Sequence, residues 1–416
     1  MASEKLHIEA KKLLPGGVSS PVRAYAPYPV YIKSGLGSKI KDVDKKEYID
    51  YCMGFGPLIL GHANPFLIKN VKDQIDLGAL FGAPIEQEIE LAKKILGYYP
   101  MDMLRFVNTG TEATMSALRV ARGYKKCDRI IKIEGAFHGA HDAVLAKAGS
   151  GVATIPSSPG IPKDFTKNTI LVPYNDTDAI ESAIRENKGE IAALIIEPIM
   201  GNVGVVLPEE GYLDQIRKIT LENDIVLIFD EVITGFRIGM GGVQSRYSIV
   251  PDMTTLGKII GGGFPIGVFG GKKEIMDNVA PSGDVYQAGT FSGNPVSLTA
   301  GLSVIEVLET EKVHKKIDEI GGQIRKGLTQ VVNDLGQNYA VQGIGSMFQI
   351  FFTDGKVKDY EDVKKSDLDG FMKMFRSMLK NGVFLPPSQF ETNFVSFAHK
   401  KEDVEATLIA YEKSLK

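Results

Sequence analysis

The chain has 416 residues, of which 44% are hydrophobic and 24% charged, and its formal net charge is −3. These values are typical of a globular protein and give no electrostatic argument for a nucleic acid or an anionic membrane as partner. Its two cysteines, Cys52 and Cys127, are too few for a disulfide framework or a four-cysteine metal site, and free thiols favour a cytoplasmic location. The length predicts two domains.

The N-terminal segment predicts a short amphipathic helix and not a signal peptide. Leu6, Ala10 and Leu13 recur at helical spacing, and Pro15 would end the helix. Residues 30–51 then predict small antiparallel strands. No apolar run in the chain is long enough to cross a bilayer.

Apolar strands alternate with helices through the middle of the chain. The predicted strands are 103–110, 129–135, 169–174, 191–198, 224–232 and 266–271, with a helix at 211–224. Several of these strands are apolar throughout, as strands buried on both faces are. The alternation predicts an α/β fold with a mostly parallel central sheet covered by helices.

The pattern changes near residue 300 and predicts a smaller α+β domain. Its predicted elements are a helical stretch at 295–334, an apolar segment at 341–354, a helix at 367–381, short strands near 383–385 and 394–397, and a final helix from about 402. We expect it to share its sheet or its surface with the N-terminal segment. The predicted division is therefore 1–60, which joins the small domain, 61–300 for the large domain, and 301–416.

Several common catalytic signatures are absent from the sequence, namely GxxxxGK[ST], GxGxxG, GxSxG and HExxH. His138, His141 and Asp142 could form a metal site if a helix brought them together, but no further cluster of ligands accompanies them. We therefore predict no metal.

A lone lysine, Lys258, lies in the apolar, glycine-rich segment TTLGKIIGGGFPIG (254–267). Burial in an apolar pocket destabilises an ammonium group, so the pKa of the lysine falls and the free amine becomes a nucleophile. The alternative is a lysine at a strand end that extends its amine to solvent.

Two further features point to a ligand site at the edge of the sheet. Asp230 lies at the carboxyl end of the strand LIFDEV, where ligands of such sheets bind, although a structural acid is the alternative. The segment 106–122 predicts a strand, a Gly-Thr turn and a helix whose N-terminus suits a phosphate, with an N-cap at Thr109 or Thr111 as the alternative.

A lysine, an acid and an anion site suit pyridoxal phosphate, with Phe137 beside His138 to stack on its ring.

The segments DEVITGFR (230–237) and PDMTTLGKIIGGGFPIGVFGG (251–271) resemble the signature of class III aminotransferases, of fold type I among pyridoxal-phosphate enzymes. The resemblance runs nearly end to end. Further segments resemble the glutamate-1-semialdehyde aminomutase subfamily: PGGVSSPVRAY (15–25), FGAPIEQE (81–88), VNTGTEATMSALRVARG (107–123), KAGSGVATIPSSPGIP (147–162), VYQAGTFSGNP (285–295) and PSQFETNFVSFAH (387–399). This likeness implies an intramolecular amine exchange that turns glutamate-1-semialdehyde into 5-aminolevulinate for tetrapyrrole (porphyrin) biosynthesis.

The resemblance also implies a role for each site residue. Lys258 would bind the cofactor, pyridoxal or pyridoxamine 5'-phosphate, as a Schiff base and shuttle protons, and Asp230 would pair with its ring nitrogen. The other cofactor-binding residues would be Val232 and Phe137 on the two ring faces, His138 beside them, Glu197 and Asn202 near the ring hydroxyl, Gly110 and Thr111 at the phosphate, and Thr290 at the phosphate of a neighbouring subunit. Substrate would be bound by Ser20 and Arg23 at its carboxylate, Glu391 at its amino end, and Ser150 on a lid. The role of Thr290 implies a homodimer with shared sites.

Three points stay open at this stage. The family commonly has tyrosine at Phe137 and tryptophan at Phe55, so the tuning of the substrate site is in doubt. Segment 148–165, rich in Gly, Ser and Pro, predicts a mobile lid that retains a diamine intermediate, with an ordinary surface loop as the alternative. A two-substrate transaminase and a non-catalytic binding protein on the same fold are the alternative functions.

Overall fold

The computed structural model describes residues 2–145 and 158–416. The strands are β1 Ile32–Leu36, β2 Lys39–Asp42, β3 Glu47–Asp50, β4 Met103–Val107, β5 Arg129–Ile133, β6 Thr169–Val172, β7 Ile191–Ile196, β8 Val226–Asp230, β9 Met253–Gly257, β10 Gly267–Gly271, β11 Ala340–Ile344, β12 Met347–Phe351, β13 Val383–Phe384 and β14 Asn393–Phe394. The helices are α1 Ala2–Leu13, α2 Pro65–Leu77, α3 Glu86–Tyr98, α4 Gly110–Lys125, α5 Lys163–Thr166, α6 Thr177–Glu186, α7 Tyr212–Glu222, α8 Gly242–Tyr247, α9 Lys273–Met276, α10 Pro295–Thr310, α11 Val313–Asp334, α12 Tyr360–Lys364, α13 Leu368–Lys380 and α14 Lys401–Leu415.

A central sheet of seven strands, from residues 103–271, has the order β4-β10-β9-β8-β7-β5-β6. The strands from β9 to β6 pair in parallel, whereas β10 is antiparallel to both β4 and β9. Every residue of β7 and of β8 is buried, as their continuous apolar sequences require. The predicted α/β class and its mostly parallel, helix-covered sheet are confirmed.

Strand β9, which directly precedes Lys258, is absent from the strands predicted from sequence. Its five residues include two threonines and a glycine, so it lacks the continuous apolar pattern of its neighbours. All five are nevertheless buried, because the threonine hydroxyls have partners inside the protein. Thr254 Oγ1 accepts from Gln244 Nε2 at 3.1 Å, and Thr255 Oγ1 donates to Asp230 Oδ1 at 3.1 Å.

Two smaller sheets accompany the central one, and the N-terminal and C-terminal parts of the chain meet in the first of them. Antiparallel β1, β2 and β3 are extended by β13, which pairs in parallel with β3 through Val383 and Ile49. The second sheet consists of the β11–β12 hairpin and β14. The helical stretch predicted at 295–334 is two helices, α10 and α11, separated at residues 311–312. The division of the chain at residues 60 and 300 stays a prediction.

The central sheet positions the candidate site through the order of its strands. β7, β8 and β9 are adjacent and parallel, so their carboxyl ends lie at one edge. Helix α4 packs against β7, β9 and β10 and begins at Gly110 near the same edge. Within the described ranges, no helix has the length and apolar character that crossing a membrane requires.

Candidate active site

Three ionisable side chains lie at the carboxyl ends of the three central strands. Glu197 follows β7 by one residue, Asp230 is the last residue of β8, and Lys258 is the first residue after β9. Glu197 and Asp230 are almost completely buried, with relative exposures of 3% and 5%. The structure therefore brings together a lysine and two carboxylates that are far apart in sequence.

Lys258 begins a short 3-10 turn, Lys258–Gly261, in a conformation that few non-glycine residues adopt, with a φ of 46°. Burial lowers the pKa of Lys258, because it removes water from the ammonium. The charges of Glu391, Glu197 and Asp230 act in the opposite direction. Positive φ values outside glycine cluster at functional sites, where surrounding structure maintains them.

The carboxylate of Asp230 accepts three hydrogen bonds. The Val232 amide and the Thr255 hydroxyl donate to Oδ1, each at 3.1 Å. His138 Nδ1 lies 2.7 Å from Oδ2, and because a carboxylate only accepts, Nδ1 is the donor. Each carboxylate oxygen has two lone pairs, so Oδ2 can accept one further hydrogen bond.

His138 and Glu197 belong to the same buried polar cluster as Asp230. Glu197 Oε1 accepts from the Phe137 amide and Oε2 from the Gly201 amide, both at 2.9 Å. Burial raises the pKa of Glu197, and the charge of His138 opposes that rise. Asn202 Nδ2 lies 3.5 Å from the Phe137 carbonyl, so this segment is held from both sides.

The phosphate predicted at Gly110 and Thr111 would lie at the start of α4, a helix of 16 residues. The first amides of a helix have no acceptor within it and attract anions. Thr109 is the N-cap, because its side chain accepts from the Glu112 amide at 3.1 Å. The Thr111 hydroxyl accepts from the Ala140 amide at 3.1 Å, which ties the segment containing His138 to this helix.

Val232 lies between the start of α4 and the end of β9. A Cβ on Gly110 would approach Val232 Cγ1 to 3.0 Å, and one on Gly257 would approach it to 3.2 Å. Val232 itself is only partly buried. Two glycines therefore leave room around this valine, as expected for a residue predicted to pack on a planar ring.

The residues predicted to bind substrate differ in their burial. Glu391 is 5% exposed, and its charge is the largest electrostatic influence on Lys258 after burial. Ser20 directly precedes the short turn Pro21–Arg23, whose last residue, Arg23, is exposed. Arg23 lines a cavity of about 260 Å³ together with Phe55.

Two other predicted residues are not placed with this group. Thr290 is exposed, in a surface segment where Tyr286 and Phe291 are 71% and 57% exposed. Ser150 and most of the predicted lid lie outside the described residues. The segment containing His138 and His141 is extended and not helical, so the helical spacing considered for a metal site is wrong.

Sequence reasoning missed Thr255 and Arg237, which both contact the site. Thr255 donates to Asp230, and fully buried Arg237 donates to the carbonyl of Gly56, a residue that lies beside Lys258. Both lie inside the two motifs that carried the family resemblance, but nothing in the sequence around either residue indicates a role in the site.

The residues present fit a phosphorylated pyridine aldehyde. Lys258 offers an amine for the aldehyde, Asp230 Oδ2 an acceptor for a ring N–H, and the start of α4 amides for a phosphate. His138 Nε2 is buried without a hydrogen-bond partner among the described residues, so this polar region is incomplete as it stands.

Comparison with known proteins identifies the family. Residues 21–407 match the family model "Aminotransferase class-III". The chain belongs to this family. A class-III relative from Methanococcoides burtonii, named glutamate-1-semialdehyde 2,1-aminomutase, is 57% identical over 417 residues, covering 100% of this chain and 99% of the relative.

Two solved transaminase structures agree with the fold. An omega-transaminase from Sphaerobacter thermophilus superposes with a TM-score of 0.94 at 34% identity, covering 100% of this chain and 97% of the other. A structure described as a transaminase with PLP bound gives a TM-score of 0.91 at 30% identity, covering 100% and 98%.

Proposed function

We propose that this class-III aminotransferase is a pyridoxal- or pyridoxamine-phosphate-dependent isomerase that converts glutamate-1-semialdehyde into 5-aminolevulinate for tetrapyrrole biosynthesis. The observation that carries the proposal is the end-to-end similarity, at 57% identity, to a protein named glutamate-1-semialdehyde 2,1-aminomutase. The cluster of Lys258, Asp230 and the start of α4 supports it independently, because it fits the cofactor that this chemistry needs.

The reaction exchanges an amine and a carbonyl oxygen between neighbouring carbons of one substrate. When bound, the cofactor would supply a carrier for the amino group and a ring that withdraws electrons from the reacting carbon. Lys258 Nζ, whose pKa burial lowers, accepts and returns the proton that moves between carbon atoms. Asp230 stabilises a protonated ring nitrogen, with His138, Val232 and Thr255 holding the carboxylate in position.

The remaining residues orient and retain the reacting groups. Glu197, with a pKa raised by burial, would donate to or accept from the ring hydroxyl, while Asn202 holds the Phe137 carbonyl. Arg23 would bind the substrate carboxylate from the cavity it shares with Phe55, and Glu391 would bind the amino end. Ser20 and Ser150 complete the proposed substrate contacts.

A homodimer with shared sites is part of this proposal. Thr290, assigned to the neighbouring subunit's phosphate, is exposed here, and its segment presents Tyr286 and Phe291 to solvent. A cytoplasmic location is also proposed, since Cys52 and Cys127 are both free thiols.

A two-substrate transaminase is the second candidate, favoured by the similarity to an omega-transaminase at a TM-score of 0.94. The two functions are separated by supplying purified holoenzyme with glutamate-1-semialdehyde and no other amine. Sustained 5-aminolevulinate formation, well beyond one product per active site, supports the aminomutase. Activity that stops after one turnover and resumes on addition of an amino donor supports the transaminase.

A further inference from the structure

Arg237 is a fully buried arginine with 0% exposure, located in the turn that follows Asp230 and β8. Among the described residues no carboxylate is paired with it: its partners are the Gly56 carbonyl, the Ser346 hydroxyl at 3.1 Å, and the Phe394 ring, whose centroid lies 4.6 Å from Cζ. An uncompensated buried charge is costly to a fold, and such a cost is commonly retained where it serves a function.

One partner of Arg237, Gly56, lies beside the side chain of Lys258. A Cβ placed on Gly56 would be 3.3 Å from Lys258 Cδ and 3.4 Å from Phe394 Cζ, so the aliphatic part of Lys258 and the ring both lie beside Gly56. Gly56 has a φ of 117°, a conformation suited only to glycine. Arg237 contacts both residues: its guanidinium donates to the Gly56 carbonyl and lies over the face of the Phe394 ring.

The turn that presents Gly56 needs an external support. Four consecutive residues, Met53 to Gly56, have positive φ values of 46°, 65°, 65° and 117°. Asp50 Oδ1 accepts from the amides of Cys52 and Met53 at 2.8 and 3.1 Å, which fixes the beginning of the turn. Arg237 fixes its end, at the Gly56 carbonyl.

We propose that Arg237 is a positioning residue for Lys258, which holds the lysine side chain in place through Gly56 and Phe394 and disfavours a second positive charge beside it. This inference deepens the proposed function, because it concerns the amine to which that function assigns the chemistry.

The charge of Arg237 also acts directly on the amine. The charged groups that influence Lys258 are Glu391, Glu197 and Asp230, which favour the ammonium, and Arg237, which opposes it. His138 is bound to Asp230 and so belongs to the same cluster. Burial and Arg237 thus lower the pKa of Lys258 together, while burial lowers the pKa of Arg237 itself to about 9, which leaves it protonated at neutral pH.

The test measures the reactivity of Lys258 in the cofactor-free protein, so that it does not depend on turnover. Brief acetylation over a range of pH, followed by peptide mass spectrometry, gives the pKa of Nζ as a midpoint and its accessibility as a plateau rate. For Arg237→Met we expect the midpoint to rise by roughly one unit, since a like charge has been removed, and the plateau rate to change several-fold. For Arg237→Lys we expect the midpoint to stay, since the charge is kept, and the plateau to change, since lysine cannot bond Gly56 and cover Phe394 as guanidinium does.

Arg325→Met is the matched control. Arg325 also donates to backbone carbonyls, of Gly345 at 2.6 Å and Met347 at 3.3 Å, on the same β11–β12 hairpin that carries Ser346. This variant should leave both the midpoint and the plateau of Lys258 unchanged.

The proposal is overturned if folded Arg237→Met keeps the wild-type midpoint, or if Arg237→Lys keeps the wild-type plateau. If the methionine variant does not fold, the plateau of the lysine variant alone decides. With glutamate-1-semialdehyde, both Arg237 variants should lose kcat with little change in KM. A wild-type protein inactive on that substrate would refute the proposed function, whereas unchanged labelling of Lys258 would refute only the role of Arg237.

Discussion

Replacing Asp230 by asparagine removes the charge beside the proposed ring nitrogen and keeps the shape of the side chain. In the structure Oδ1 accepts from Val232 and Thr255, and asparagine oxygen can accept from both. At Oδ2 the amide nitrogen would face His138 Nδ1 at 2.7 Å, donor against donor. We expect the imidazole to move its proton to Nε2, so that Nδ1 becomes an acceptor.

The expected loss of stability is small and the expected loss of rate is large. A hydrogen bond to a charged group contributes about 1.5–3 kcal/mol and a neutral one about 1 kcal/mol, so the exchange at His138 costs about 0.5–2 kcal/mol. Because the variant also removes a buried charge, we expect the lower end of that range. Without the carboxylate the ring nitrogen loses its proton, and we expect kcat to fall by about 10²-fold or more, which corresponds to about 2.7 kcal/mol of activation free energy.

The assay combines thermal unfolding with steady-state turnover of glutamate-1-semialdehyde. Asp252→Asn is the matched control, because Asp252 is also a buried carboxylate, bound by Arg217 at 2.7 and 3.0 Å and by Lys272 at 2.6 Å, but it precedes β9 and so lies at the opposite edge of the sheet. The control should lose stability and keep kcat. Near-normal turnover in Asp230→Asn, or an equal loss of kcat in both variants, would refute the reasoning.

Three other predictions concern the cofactor phosphate, the substrate carboxylate and the lid. Gly110→Ala should weaken pyridoxal-phosphate binding several-fold in an equilibrium titration, since its Cβ would crowd a neighbouring valine at 3.0 Å, whereas Gly322→Ala, in open space on α11, should not. Equal affinities in the two variants would count against the assignment of Gly110. Arg23→Ala should raise KM by roughly 10- to 150-fold and leave the cofactor spectrum intact, because a hydrogen bond to a charged group contributes about 1.5–3 kcal/mol; a changed spectrum with an unchanged KM would make Arg23 structural. Gly149→Pro combined with Gly151→Pro should let the diamine escape, so that a progress curve decays and added diamine restores it. An unchanged curve would mean that this segment is not a lid.

The sequence predicted the strands that are apolar along their whole length. β8 is apolar at every position before Asp230, so both the strand and the exceptional acid at its end were visible. The same reasoning missed β9, because Thr254 and Thr255 hide a buried strand whose hydroxyls are satisfied only by residues distant in the chain. Tertiary hydrogen bonds of this kind have no local signature.

The sequence predicted which residues belong to the candidate site, but not the contacts that hold them in position. Lys258 was recognisable as a charge among apolar residues, whereas its positive φ follows from the surrounding structure. The role of Arg237 depends on Gly56, which is 181 residues away in the sequence, and on Phe394. Sequence motifs identify such residues, but only the assembled fold shows what each of them contacts.

The central claim is that the amino group of the product comes from glutamate-1-semialdehyde itself and not from a second amine. The most direct measurement supplies holoenzyme with unlabelled glutamate-1-semialdehyde and an excess of ¹⁵N-labelled alanine and glutamate, then determines the ¹⁵N content of 5-aminolevulinate by mass spectrometry over many turnovers. The account predicts product without ¹⁵N at every time point. The amino group removed from one substrate molecule is transferred to the next, so no external amine enters. Product that gains ¹⁵N in proportion to turnover would contradict it and identify a transaminase that uses an external donor.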